Sequence, residues 1–231
     1  MQKTFIFFTC EHASNAIPSQ YKHLFIRFAN ILSSHRGFDQ GTKYLGQAFG
    51  KSLKAPVVYG KFSRLLIDLN RSPSHKSAFS EMTKTLSSDQ RFEIKAKYHR
   101  PHWEKIEKII DEKMAKGFTV LHIGVHSFTP VLYNEVRNAD IGILYDSRRK
   151  KETSLAISWQ KSLRNNSELR VRRNYPYLGM NDGLTTELRE RYSENKYIGI
   201  EIEVNHALLK KPEQIKMIGK LLIKSLKENL P

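Results

Sequence analysis

The amino-acid sequence predicts an α/β fold with a largely parallel or mixed sheet. Apolar runs of strand length alternate along the chain with stretches of helical periodicity. The first run, Thr4 to Cys10, is rich in aromatic and β-branched residues, which suits a strand covered by helices on both faces. It stops at a carboxylate and an imidazole, Glu11-His12, and open α/β sheets bind ligands outside the carboxyl ends of their strands.

The small, turn-forming Ala13-Ser14-Asn15 follows, and Ile17-Pro18 opens a loop. Tyr21 to Leu32 is ambiguous in its pattern. His35 to Gly41 reads as a loop entering a helix, in which Leu45, Ala48, Phe49 and Ser52 recur at three- and four-residue spacing. Pro56 to Tyr59 is a short strand ended by Gly60. Arg64 to Leu69 reads as another strand, closing in the polar Asp68-Leu69-Asn70-Arg71. Ser72 to Ser88 is polar and without periodicity, the pattern of a flexible loop or lid. Ser88 or Asp89 is placed to cap a long helix, which Pro101 kinks or restarts. Trp103, Ile106, Ile110 and Met114 form its apolar stripe, and Gly117 ends it.

Thr119 to His126 is the clearest central strand, with Leu121, Ile123 and Val125 on one face and His122, Gly124 and His126 on the other. Ser127 to Pro130 is its exit loop. Ile141 to Tyr145 is a further strand, and the basic Arg148 to Lys151 leads into a helix with Leu155, Trp159 and Leu163 at four-residue steps. Leu169 to Arg173 alternates weakly, as an edge strand does. Asn174 to Asp182 is a loop and Thr185 to Tyr192 a short helix. Tyr197 to Asn205 is the last strong strand, setting Ile198, Ile200, Ile202 and Val204 against Gly199, Glu201, Glu203 and Asn205. A closing helix carries Ile215, Ile218, Leu222 and Leu226. No repeat or linker divides the chain, so one domain over residues 1–231 is expected.

At 231 residues the chain is long enough for one full core. No run approaches the roughly 20 apolar residues of a membrane span, so no membrane association is expected. Met1-Gln2-Lys3 leads straight into the first strand with no cleavage-type leader, and Cys10 is the sole cysteine, so a reducing cytoplasm is the expected setting. The net charge of +16 is spread over most of the chain with only one tight cluster, Arg148 to Lys151. It reads as a solvated basic surface that also attracts small acidic substrates, rather than as a nucleic-acid interface.

Three strand ends present groups suited to hydrolysis: His12, His126 and Glu203. Catalytic zinc is commonly held by two histidines and a carboxylate with one position open, and it lowers the pKa of its water to about 7. The two histidines lie on different strands, so spacing alone gives no local motif, and three residues beyond His12 stands Asn15 rather than glutamate. Glu201 and Glu203 share a face of a central strand, where burial is costly unless the carboxylates are paired or metal-linked. His122, inside a strand, reads as a hydrogen-bonded structural residue, and His23, His35, His75 and His206 as loop or surface residues. There is no Gly-x-Ser-x-Gly elbow and no Gly-rich phosphate loop.

Several blocks together resemble the N-formylglutamate amidohydrolase family. They are Glu11-His12-Ala13-Ser14-Asn15, Asp39-Gln40-Gly41, Arg64 to Arg71, Tyr98-His99, His126-Ser127, Asp182-Gly183-Leu184-Thr185 and Ile202-Glu203-Val204-Asn205. They span nearly the whole chain. The Asp-Leu-Asn-Arg block also looks like one in aspartoacylases and succinylglutamate desuccinylases, zinc enzymes related to the zinc carboxypeptidases. The resemblance implies a three-layer α/β/α hydrolase fold and metal-dependent cleavage of the amide of an N-acylated acidic amino acid such as N-formylglutamate. Carried over by residue, it implies His12 and His126 as ligands of a zinc or other divalent ion, with Asp39 as the carboxylate ligand and Glu11 as its rival. It implies Glu203 as general base on the metal-bound water, Asn70 and Arg71 as a substrate-carboxylate clamp, and Arg64 as a group that polarises the scissile carbonyl or binds a second carboxylate. Typical members carry a Ser-Pro-His-Ser-Gly type block where this chain has Cys10-Glu11-His12-Ala13-Ser14, which marks a divergent branch. Two other readings stay open: a basic nucleic-acid-binding protein on an inactive hydrolase-like fold, and an amidase using Cys10. Whether Glu201 joins the site or supports it also stays open.

Overall fold

A computed structural model describes residues 3–230; Met1, Gln2 and Pro231, on which the leader and whole-chain expectations partly fall, lie outside the described residues. The strands are β1 (Thr4–Cys10), β2 (Val57–Tyr59), β3 (Thr119–Phe128), β4 (Val131–Leu132), β5 (Glu135–Val136), β6 (Ile141–Leu144), β7 (Val171–Arg173) and β8 (Tyr197–Asn205). The helices are α1 (Ala29–Leu32), α2 (Thr42–Leu53), α3 (Ser88–Ile94), α4 (Arg100–Ala115), α5 (Lys150–Asn165), α6 (Leu184–Arg191) and α7 (Pro212–Lys227). Six strands form one sheet in the order β2-β1-β3-β8-β6-β7. Pairing is parallel except at the junction of β8 with β6, so the sheet is mixed and mostly parallel, as expected. Strands β4 and β5 make a separate hairpin.

Alternation along the strands sorts the two faces. Phe8, Ile123 and Ile200 pack against Leu45 and Phe49 of α2, Trp159 and Leu163 of α5, and Ile218 and Leu222 of α7. On the other face Phe7, Val120 and Tyr197 meet Trp103, Ile106 and Ile110 of α4 and Leu184 and Leu188 of α6. The result is a three-layer α/β/α arrangement. This second face also holds a polar row. His122 is fully buried, with its Nε2 2.8 Å from Thr9 Oγ1 and its Nδ1 2.7 Å from the Tyr197 hydroxyl. Burial pushes its pKa down to about 3, so it is a neutral core residue, as its mid-strand position indicates.

Several expectations from the sequence require correction. Arg64 to Leu69 is not a strand but a buried loop. Its apolar side chains fill small satellite clusters with Tyr21, Ile94, Phe25 and Met82, and its carbonyls find partners outside any sheet. The Trp103 indole donates to Leu69 O at 2.8 Å and Ser80 Oγ to Leu65 O at 2.5 Å. A short apolar run carries no period that separates such a loop from a strand. Ser72 to Ser88 is packed rather than free: Ala78, Met82 and Thr83 are buried, and Ala78 O accepts the Asp68 N–H. The helix cap is Ser87, in a reciprocal capping box with Gln90, and not Ser88 or Asp89. The restart expected at Pro101 is present: a π-helical turn over Lys95–His99 interrupts the α-helix, and the proline, lacking an N–H, sits in the first turn of α4. Ser127 belongs to β3, which runs on to Phe128.

Candidate active site

The parallel strands end at one edge, and that edge carries a cavity of about 120 Å³. His12, Asp39, Arg64, Asn70, Arg71, His126 and Glu203 all line it, although they come from five stretches of sequence. Ser127, Leu144, Tyr177, Leu178, Asn181, Asp182 and Glu201 complete the wall. Register explains part of this convergence: in the β3–β8 pair His126 lies opposite Glu203 and Gly124 opposite Glu201. Gly124 leaves the space these side chains occupy, since a β-carbon there would stand 3.2 Å from Glu201 Cγ and 3.3 Å from His126 Nε2. On the far side of Glu203, Gly142 of β6 lets the loop after β7 pass close, because a β-carbon there would stand 1.9 Å from Tyr175 O.

Asp39 is drawn to the end of β1 by its own N–H, which donates to His12 O at 2.9 Å. One ligand atom from each of His12, Asp39 and His126 lies within 4.8 Å of the other two, and all three residues are buried. Asp39 Oδ2 is 3.4 Å from His12 Nδ1 and 3.1 Å from His126 Nδ1. The opposite ring nitrogens face other carboxylates: His12 Nε2 is 2.6 Å from Asp68 Oδ1, and His126 Nε2 is 3.1 Å from Glu11 Oε2. Asp39 thus stands between the two Nδ1 atoms, while Glu11 lies behind His126 and outside the cavity wall. A tetrahedral zinc with bonds of about 2.0–2.1 Å spaces its ligands about 3.3 Å apart, so the donor set and its spacing suit such an ion. Carboxylates behind metal-binding imidazoles fix ring orientation and tautomer, which is the place Asp68 and Glu11 occupy.

The charges are tightly coupled. Burial works against ionising Asp39, but His12, His126 and Arg64 outweigh it and hold the carboxyl well below the usual range. Burial and Arg64 oppose protonation of His12, and Asp68 and Asp39 overcome them, so its pKa is raised. Asp39 and Glu11 do the same for His126 against burial. Glu11, fully enclosed, is held low by His102 and His126 despite burial. Glu203 goes the other way. Burial, with Asp39 and Glu201 adding, pushes it up to about 8, against the pull of His126. Its Oε2 has no hydrogen-bond partner among the described residues. Glu201 is held instead, by the Thr185 hydroxyl at 2.8 Å.

These shifts give the metal-free protein a pH-dependent stability. Glu203 and both site histidines bind protons more tightly when folded, so their stabilisation is present at low pH and lost as pH rises through the folded values. Histidines with lowered values, such as His122, act in the opposite direction mainly below their ordinary value of 6.5, and the small remainder above it is outweighed by the three raised groups. The urea midpoint of chelator-treated protein is expected to fall between pH 6.5 and about 8; a flat or rising midpoint across that window would contradict the assignment.

The remaining side chains are positioned from outside the sheet. Arg64 donates to Asp68 Oδ2 at 2.9 Å and to Asp39 Oδ1 at 3.4 Å, so its guanidinium is fixed at the cavity. Asn70 Oδ1 accepts the Leu184 N–H at 2.9 Å, and Asn70 Nδ2 is 3.5 Å from His126 Nε2. Arg71 donates to the Asp182 carbonyl, and its own carbonyl is held by His99 Nε2 at 2.8 Å. Cys10 is fully buried on the opposite sheet face, and burial raises its thiol pKa well above the ordinary value, the reverse of an activated nucleophile. The Arg148 to Lys151 cluster is largely spoken for: Arg148 pairs with Asp146 at 2.7 Å, and Arg149 donates to the Arg189, Tyr192 and Tyr197 carbonyls. Asp68 and Asp182 lie inside motif blocks visible in the sequence, whereas Tyr177, Leu178 and Asn181 have no local signature.

The family model for N-formylglutamate amidohydrolase matches residues 5–209. No protein of curated function matches the chain. Among solved structures, a gene product of Agrobacterium tumefaciens is 30% identical with a TM-score of 0.85, covering 97% of this chain and 90% of that one. N-formylglutamate amidohydrolase from Ralstonia eutropha is 15% identical with a TM-score of 0.73, covering 99% of this chain and 95% of that one, and so shares the fold. The match over nearly the whole length places this chain in the N-formylglutamate amidohydrolase family, and with it among hydrolases of carbon–nitrogen bonds other than peptide bonds.

Proposed function

We propose that the chain is a cytoplasmic, single-domain, zinc-dependent amidohydrolase that cleaves the amide of an N-acylated acidic amino acid such as N-formylglutamate. The observation that carries this reading is the convergence of His12, Asp39 and His126 beside a buried carboxylate, Glu203, in one cavity. Two imidazoles and a carboxylate form a donor set that suits zinc, though another divalent ion would also fit. A metal bound there supplies positive charge that acidifies water and polarises the acyl oxygen.

The chain's own groups do the rest. Arg71 and Asn70 receive the substrate α-carboxylate, a role for which the planar guanidinium fork is suited. Arg64, kept in place by Asp39 and Asp68, faces the acyl oxygen and stabilises the negative charge that gathers on it. Glu203 ionises readily once positive charge is present in the site. Its free Oε2 takes the proton from the attacking water and passes it to the nitrogen as the carbon–nitrogen bond breaks. The products are the free carboxylate of the acyl group and the free amino acid. Glu201, tied to Thr185, shapes the wall and adds to the field that raises Glu203.

Zinc-loaded protein is expected to release formate from N-formylglutamate, and chelator-treated protein is not. Hydrolysis that persists after complete metal removal would overturn the reading. The carboxylates behind the histidines provide a second expected result. Asp68→Asn and Glu11→Gln should each weaken zinc binding by about 10–100-fold in a chelator competition. Unchanged affinity in both would mean that they do not orient the imidazoles.

A further inference from the structure

An N-acylated acidic amino acid carries two carboxylates, and the cavity wall offers cations for only part of that charge. Arg64 and Arg71 are the arginines that line it, and no lysine does. Arg64 is already paired with Asp39 and Asp68. Arg71 lies 3.9 Å from Asp182 Oδ2 and is the group left for one carboxylate. Asp182 and Glu201 on the wall would repel a second.

Directly beside the Tyr177 wall stands Arg137, which follows the β4–β5 hairpin. Its N–H donates to the Tyr177 hydroxyl at 3.0 Å, and its guanidinium carbon lies 4.9 Å from the Tyr177 ring centre and 6.0 Å from that of Phe128. Its backbone N–H is fixed on Pro130 O at 2.8 Å. Tyr177 lines the cavity and Arg137 does not, so their hydrogen bond sets this guanidinium just behind the wall, one side chain from the cavity. The side chain is half-buried, and among the described residues no carboxylate comes within ion-pairing distance of it. A guanidinium has five N–H donors in a fixed fork, and a single tyrosine oxygen leaves most of them unused. Stacking on two rings holds the fork rigid, so little freedom is lost when it grips an anion.

We propose that Arg137 binds the side-chain carboxylate of the substrate while Arg71 binds the α-carboxylate, making Arg137 the residue that selects acidic over neutral N-acyl amino acids. The assignment rests on the function proposed above. Its test is calorimetric binding of the free amino acids L-glutamate and L-glutamine to zinc-loaded wild type, Arg137→Gln and Arg137→Lys. Wild type is expected to bind glutamate about tenfold or more tightly than glutamine. Arg137→Gln should remove that preference by weakening glutamate alone, and Arg137→Lys should keep part of it. A glutamate-to-glutamine ratio unchanged in Arg137→Gln, or an equal loss for both ligands, would overturn the assignment; the second result would make Arg137 a general support for Tyr177. Formate release by the same proteins separates the two levels. The KM for N-formylglutamate should rise in Arg137→Gln, with that for N-formylglutamine unchanged. A wild type that hydrolyses neither compound would refute the proposed activity, while the binding ratio would still decide the role of Arg137.

Discussion

Replacing Glu203 with glutamine is expected to leave zinc content near one ion per chain and to lower kcat by about 10²–10⁴-fold. The amide matches the carboxylate in shape and cannot accept the proton. The substitution also tests the unusual electrostatics of the position. Glu203 is buried, its pKa is lifted to about 8, and it faces Asp39 and Glu201. Removing its titratable group relieves a like-charge contact, so the metal-free glutamine variant should be at least as stable as wild type near pH 8. Loss of turnover without loss of stability or of zinc is the signature of a catalytic proton acceptor. A variant with full turnover on a verified substrate would dismiss Glu203 as the base.

The second large effect is expected at the histidines. His12→Ala and His126→Ala should each lose bound zinc, measured by elemental mass spectrometry on untagged protein purified without chelator, and with it all detectable hydrolysis. Each substitution also takes one partner from a buried carboxylate. Without His12, Asp68 loses its 2.6 Å partner, and without His126, Glu11 loses its 3.1 Å contact inside a fully enclosed setting. Glu11 then keeps only His102 beside it, and a buried charge that loses a partner is destabilising, so the His126 variant should also unfold at a lower urea concentration. His12→Ala and His126→Ala proteins that hold zinc as tightly as wild type would place the metal elsewhere.

How far the sequence leads depends on whether a feature is local. Strands β1, β3 and β8 are legible because β1 is an unbroken apolar run with an abrupt polar end and β3 and β8 alternate, and His12, His126 and Glu203 stand out for the same reason. The mixed sheet follows from the alternation of elements, but the antiparallel setting of β6 against β8 leaves no trace in composition. Arg64 to Leu69 misleads because its apolar residues are buried by neighbours far along the chain, such as Tyr21 and Ile94. The choice between Asp39 and Glu11 depends on which nitrogen of each histidine points inward, a matter of side-chain rotation with no sequence signature. Arg137 and Tyr177 are 40 residues apart in sequence and meet through a hydrogen bond between loops, a contact no local pattern announces.

The bare backbone at Gly142 links the sheet to the breadth of what the pocket admits. The loop bearing Tyr177, Leu178 and Asn181 rests against that glycine, at a strand position that pairs with Glu203. Pocket width therefore has a structural lever directly across the strand pair from the proposed base. A single added methyl group at that point would meet Tyr175 O at 1.9 Å and Glu203 Cβ at 3.3 Å, so it would press the loop outward and crowd the proposed base at the same time. A wider pocket gained at this point is tied to a shift at Glu203, so tolerance and chemistry change together.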